Sequence, residues 1–183
     1  MDQQETSFAG DVLPPIELSP RRYRRTFLTP RRIARMSIFI ALSAVGAITK
    51  IPSPTGTVAL DSCIGYFSAA AFGYLEGGCV AALGHLLTAL TMGFPLGIPV
   101  HLYISVQMAL WVMAFRFFTL KIHPVVGIVV ATLLNGVASA YLIIPFGGIG
   151  LATALVLPLT IGSLANILIA SAAYSIVKRS NMI

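Results

Sequence analysis

Charge is what this chain lacks most. Between Ser37 and Val177 only Lys50, Asp61, Glu76, Arg116 and Lys121 carry a full charge. Charged residues make up 10% of the sequence, against roughly 25% in a soluble domain. A soluble fold would have almost nothing from which to build a hydrated surface, so that class is excluded. Cysteine is scarce as well. Cys63 and Cys79 sit inside apolar runs without CxxC spacing and read as small buried hydrophobes, neither a disulfide framework nor a metal site. Catalytic signatures are missing: there is no HExxH, no GxSxG and no intramembrane carboxylate pair spaced as a dyad. His85, His101 and His123 lack metal-ligand spacing. No Walker A lysine motif occurs, so the chain does not hydrolyse ATP through a P-loop. Neither enzymatic activity nor a cofactor is expected.

What the chain has instead is apolar length. Hydrophobic residues form 57% of it, and each membrane span needs about 20 residues, so the chain fits an all-α membrane protein, a bundle of six transmembrane helices. Their expected ranges are 31–50, 60–75 (a short one), 78–91, 99–119, 125–144 and 151–177. Glu76-Gly77-Gly78 and Lys121-Ile122-His123-Pro124 read as tight turns. Three other links, 51–56, 93–99 and 145–150, are rich in proline and glycine and read as irregular. Residues 1–30 are polar, contain four prolines and show no apolar period, which predicts a flexible tail; residues 31–183 form the membrane domain.

Basic residues set the expected orientation. Of the 12 lysines and arginines, seven lie from Arg21 to Arg35, directly before the first apolar run. That placement is the positive-inside signal of a cytoplasmic N-terminus. Contact with anionic lipid fits it, whereas nucleic acid does not, because no module with stacking aromatics accompanies the arginines. Six spans then put both termini in the cytoplasm, with Arg116, Lys121, Lys178 and Arg179 on the same side and only Lys50 outside. Arg24-Arg25-Thr26-Phe27-Leu28 resembles a twin-arginine export signal, but five more apolar runs follow it, so the first run reads as a retained helix. All three irregular links fall on the outer face. Irregular backbone at membrane depth persists only where protein buries it or it lines a cavity. The links are either the cover of an outward-facing pocket or ordinary surface loops.

Polar side chains point to what such a pocket holds. In helix 3, Gly77, Ala81, Gly84, His85, Thr88 and Thr91 share one helical face. Helix 5 carries Thr132, Asn135, Gly136 and Ser139, and helix 6 carries Ser163, Asn166 and Ala170. Helix 4 has His101 near its outer end, with Tyr103 and Gln107 together on one face. Each polar group either ties helices together or meets a ligand. Asp61 is the costly one, since an aspartate inside a membrane needs a partner. Lys50, across the first outer link, and a bound ligand are the two candidates. A small bundle with a pocket and no engine needs a partner to drive transport. Ser37 with Ala41, continued by Ser43 with Ala47, forms small-xxx-small pairs in helix 1 that serve packing or docking.

These residues carry a resemblance. The chain over 31–178 resembles the substrate-binding S components of energy-coupling factor (ECF) vitamin transporters, in its six helices, its irregular outer loops and the Ser37/Ala41 pair. Within that family it looks most like the alpha-ribazole S components. The likeness rests on the segment from Ile51 to Ser62, on Gly84-His85-Leu86-Leu87-Thr88-Ala89-Leu90 and on Gly93-Phe94-Pro95-Leu96-Gly97. The family's helix 1 motif is two alanines four apart, and here Ser37 replaces the first. The arginine-rich tail lies outside the family pattern. The resemblance implies a multi-pass protein of a prokaryotic plasma membrane that captures a vitamin precursor outside the cell. It also implies docking through Ser37 and Ala41 on a membrane coupling subunit with two ATPases. A flat benzimidazole base would stack on Phe94, Tyr103 or Trp111. Its ribose would bond to Asp61, His85, Gln107, Asn135 or Asn166, with His101 and Lys50 nearby. The order of expectation is Asp61, His85, His101, then Asn135. The alternatives are an S component for pantothenate, riboflavin or a cobalamin-related compound, a proton-coupled secondary transporter using His85 and Asp61, and a membrane enzyme acting on a lipid or isoprenoid, which would need paired acidic residues where the inner face offers only Glu76.

Overall fold

Thr29 opens the first helix. Its hydroxyl accepts the Arg32 N–H at 3.3 Å and Pro30 follows in the first turn, where its missing N–H costs nothing. The computed structural model describes residues 28–48, 50–53 and 56–181, of which 50–53 and 56–58 are described by their backbone alone. The expected tail therefore lies outside the described residues except at Leu28, Thr29 and Pro30. Six helices are described: α1 (Pro30–Ile48), α2 (Ser62–Phe72), α3 (Tyr74–Thr91), α4 (Ile98–Lys121), α5 (Pro124–Leu142) and α6 (Ile144–Arg179). The last three are long and apolar enough to cross a membrane. At 11 residues, α2 is too short to do so alone.

Several expected boundaries move, each for a local reason. The first of the three links expected to be irregular is not: β1 (Lys50–Ser53) and β2 (Gly56–Ala59) pair antiparallel, with Ile51 opposite Val58 and Pro52 opposite Thr57. A two-stranded ribbon has a free edge, so Pro52 can sit in it without removing a needed donor. The α2–α3 turn falls at Gly73, not at Glu76-Gly77-Gly78. Gly73 takes φ 135°, ψ 174°, a region only glycine enters readily. Glu76, Gly77 and Gly78 belong to α3, the glycines serving close packing. The third link is mostly helical. A turn starts at Ile144 and breaks at Gly148 (φ 72°, ψ 175°) before α6 resumes. The 93–99 link is irregular as expected, with positive φ at Gly93, Phe94 and Gly97.

Contacts between neighbours give the direction of every helix. Gly65 packs on Ala81 while Gly77 packs on Ala69, so α2 and α3 run antiparallel. Arg32 pairs with Glu76 at 2.9 Å and Gly84 packs on Ser43, so α1 and α3 run parallel. His85 meets His101 and Gly78 meets Met113, which reverses α4. Thr119 against Gly127 and Trp111 against Ser139 reverse α5. Asn135 against Ser163 and Gly136 against Thr160 reverse α6. The result is an up-and-down bundle. Its core centres on Tyr66, whose ring meets Phe115 edge-on at 5.3 Å, with Val112, Ala131 and Ile167 fully buried around it. Helix α1 stays outside this core and buries only Ser43 and Ala47.

The end of the bundle carrying Arg32, Glu76 and Arg116 is tied tightly. Arg116 donates to the Ala69 and Ala70 carbonyls at 2.5 and 2.6 Å. It thereby caps the C-terminus of α2 from another helix, where the helix dipole favours a cation. Its guanidinium also lies 5.2 Å from the Tyr74 ring centre, and that of Arg35 lies 4.3 Å from Phe72. The opposite end holds the hairpin, the Gly93–Gly97 turn and the Gly148 break.

Candidate functional site

A cavity of about 380 Å³ opens within the hairpin end, inside the 300–1,000 Å³ range of small-molecule sites. Every helix except α1 contributes to its wall. Ile104, Met108, Ile143, Leu155, Pro158 and Leu159 make an apolar bed, and Leu96 from the Gly93–Gly97 turn closes one side. Asp61, Ser62, His85, His101, Asn135, Ser139, Ser163 and Asn166 supply the polar groups.

Asp61 occupies the N-cap position of α2, yet its side chain makes no capping bond. Asp61 is among the residues that line the cavity. The Thr88 hydroxyl sits next to the Asp61 carboxyl group without closing a full hydrogen bond. No ion pair to Asp61 forms among the described residues; the Lys50 side chain, the expected partner, lies outside them. Asn166 fixes where Asp61 stands. Its Oδ1 accepts the Cys63 N–H at 2.9 Å, and its Nδ2 donates to the Ala59 and Gly162 carbonyls, both at 2.9 Å. The amide therefore clamps both sides of the β2–α2 junction to α6. Its hydrogen-bonding capacity is largely spent on backbone, which makes Asn166 a positioning residue more than the ribose partner the sequence suggested.

The two histidines belong together. His85 Nε2 lies 3.2 Å from His101 Nδ1, with the rings 5.3 Å apart and 32° from parallel. On its other side His101 Nε2 accepts the Leu96 N–H at 3.4 Å, and Phe94 packs against the same ring at 5.7 Å. Across the cavity Asn135 donates to Ser163 at 2.7 Å. Ser139 accepts from the Trp111 indole at 2.8 Å and donates to the Leu134 carbonyl at 3.2 Å. That last bond spans five residues because 133–138 winds as a π-helix. The widened turn lets Asn135 and Ser139 share the cavity wall, a use for which such segments are known.

Of the residues singled out from sequence, Asp61, His85, His101, Asn135 and Asn166 line this cavity. Phe94, Tyr103 and Gln107 do not. On α4 the cavity face is His101, Ile104 and Met108, a helical stripe that turns Tyr103 and Gln107 elsewhere. Tyr103 packs on Phe146 at 5.2 Å. Gln107 is buried with its Oε1 unpartnered. Phe94 lines an apolar groove on the outer surface with Ile40, Leu83 and Leu102. Trp111 touches the cavity only through Ser139. The apolar bed went unseen in the sequence, where its leucines look like any others; Pro158 inside α6 was the one available signal. Elsewhere, Glu76 is buried and paired with Arg32, so it is not free for the chemistry a membrane enzyme would ask of it.

On α1 the two small pairs separate. Ser43 and Ala47 are buried against the bundle. Ser37 and Ala41 are exposed, on a surface that also bares Ile38 (66%) and Val45 (58%). That surface shares no residue with the cavity.

Residues 31–177 match the family described as "ECF transporter, substrate-specific component". The fold is that of a solved S component of a bacterial ECF transporter, at a TM-score of 0.60 and 18% identity over 83% of this chain and 95% of that one. No curated protein matches the chain.

Proposed function

Because this chain belongs to the family of ECF transporter substrate-specific components, a membrane family that binds small molecules and works with coupling subunits, we propose that the cavity between α2 and α6 is its substrate site and that alpha-ribazole is the substrate. One observation carries the first half: an apolar bed meets a group of convergent polar side chains at one end of the bundle, on five of six helices. The second half draws on the resemblance of the 51–62, 84–90 and 93–97 segments. The dimensions suit a nucleoside. Its base would lie on Ile104, Met108, Leu155 and Leu159, beside the two imidazoles, since Phe94, Tyr103 and Trp111 do not line the cavity. Its ribose hydroxyls would meet Asp61, Ser163 and Asn135.

In this reading the arginine-rich end faces the cytoplasm and the cavity opens outward, in keeping with the positive-inside rule. The exposed Ser37/Ala41 surface of α1 docks on the membrane coupling subunit with its two ATPases, which supply the energy this chain has no motif to harvest. Small residues there let a partner helix approach closely.

Isothermal titration of the detergent-purified chain with alpha-ribazole, beside pantothenate, riboflavin and cobalamin-related compounds, tests it. Tight one-to-one binding of alpha-ribazole alone is expected. A response only to another vitamin keeps the site and replaces the substrate. Silence across the panel from folded protein, with uptake by the chain alone in liposomes under a proton gradient, would establish a secondary transporter instead.

A further inference from the structure

The hydrogen bonds around His101 have a direction. A backbone N–H can only donate, so the Leu96 N–H makes His101 Nε2 an acceptor. A neutral imidazole with an unprotonated Nε2 carries its proton on Nδ1. His101 Nδ1 faces His85 Nε2 at 3.2 Å, so it donates and His85 Nε2 accepts. The same rule then puts the His85 proton on its own Nδ1. No described residue accepts from that nitrogen, and His85 lines the cavity. One backbone amide on the Gly93–Gly97 turn thus sets the tautomer of two side chains and leaves an N–H without a described acceptor on a side chain that lines the cavity.

The remaining wall completes the pattern. Asp61 brings a carboxyl group without a partner cation among the described residues, and no described lysine or arginine lines the cavity. Ser139 and Asn166 are occupied by protein. Among the described residues an anionic ligand would meet a carboxyl group and find no counter-charge, in a space where uncompensated charge is costly. We propose that His101 and His85 form a one-way hydrogen-bond relay from the Gly93–Gly97 turn, so that the cavity selects an uncharged ligand giving an acceptor to His85 Nδ1–H and hydroxyl donors to Asp61. This deepens the substrate reading above and rests on the same cavity. It makes His85 a specificity-determining contact and His101 a positioning residue that acts through it.

The relay is tested without any ligand. The chain has three histidines, and the third provides an internal contrast: His123 Nδ1 accepts the Val125 N–H at 3.2 Å, which calls for the opposite tautomer. Long-range proton–nitrogen correlation spectra of the full chain, labelled with 15N-histidine and assigned through single His→Gln variants, should show Nδ1–H at His85 and His101 and Nε2–H at His123. An Nε2–H tautomer or an imidazolium at His85 or His101 overturns the relay. The ligand class is tested by titrating alpha-ribazole against its 5′-phosphate and against pantothenate. At least about tenfold weaker binding of the two anions is expected; equal or tighter binding of either overturns the selectivity. His85→Asn, which keeps an N–H near the Nδ1 position, should retain more affinity than His85→Phe, and equal loss in both overturns the donor role. If no compound binds while the three tautomers are as stated, the substrate assignment has failed and the relay has not.

Discussion

Asn166 on α6 donates to the carbonyl of Ala59, more than a hundred residues earlier, at 2.9 Å. The same side chain accepts from Cys63, so the short segment bearing Asp61 is held at both ends by one amide. Asn166→Leu keeps the volume but leaves the Cys63 N–H and the Ala59 carbonyl buried without partners. The expected cost is roughly 2–4 kcal/mol of stability, with weakened ligand binding as Asp61 drifts. Thermal unfolding in detergent, paired with titration, reads both; an unshifted unfolding temperature would contradict the clamp.

Asp61→Ala removes the carboxyl group without touching a cap or an ion pair among the described residues. The fold should persist and ligand affinity should fall by about tenfold or more. Unchanged affinity in a titration would take Asp61 out of the site.

Gly65→Val tests the α2–α3 contact, where a β-carbon would lie 2.8 Å from that of Ala81. Helices so close must part or strain, at roughly 1–3 kcal/mol. Wild-type stability in a thermal melt would show that the contact is looser than described.

Arg116→Met strips the cap from the end of α2. A charge-assisted hydrogen bond contributes about 1.5–3 kcal/mol, and a loss near the low end is expected for this partly buried group. Arg116→Lys should not restore it, because an ammonium cannot reproduce the planar fork on two adjacent carbonyls. Full rescue by lysine would mean that charge alone matters there.

Ser37→Leu with Ala41→Leu enlarges the exposed face of α1 and leaves the cavity alone. Titration should give wild-type affinity while co-purification with the coupling subunit is lost. Retained assembly would move docking to another surface.

Much of this architecture was readable in advance, and what was not has physical reasons. Six apolar runs and the basic residues at their ends were enough for the helix count. Glycine was harder to read. At Gly73 it permits a backbone angle, whereas at Gly77 and Gly78 it permits contact, and the letter is the same. The hairpin hid behind Pro52 and Pro54, residues that argue against strands in any sheet wider than two. Asp61, His85, His101 and Asn135 stood out because polar groups inside a membrane are expensive. Leu155 and Leu159 did not, since a leucine facing a ligand and one facing lipid tails are chemically alike. Asn166 was noticed, but its role was not, because an amide that clamps backbone and one that greets a ligand share the same donors and acceptor.

The chain has a single tryptophan, and its indole N–H is bonded to Ser139 in the cavity wall. The protein therefore carries its own optical reporter. A guest pressing on Ser139 alters the polarity felt by that indole, and the emission should shift in colour or intensity as the cavity fills. Occupancy can then be followed by light on the unlabelled protein, in detergent or in a bilayer, with no second fluorophore to confuse the signal.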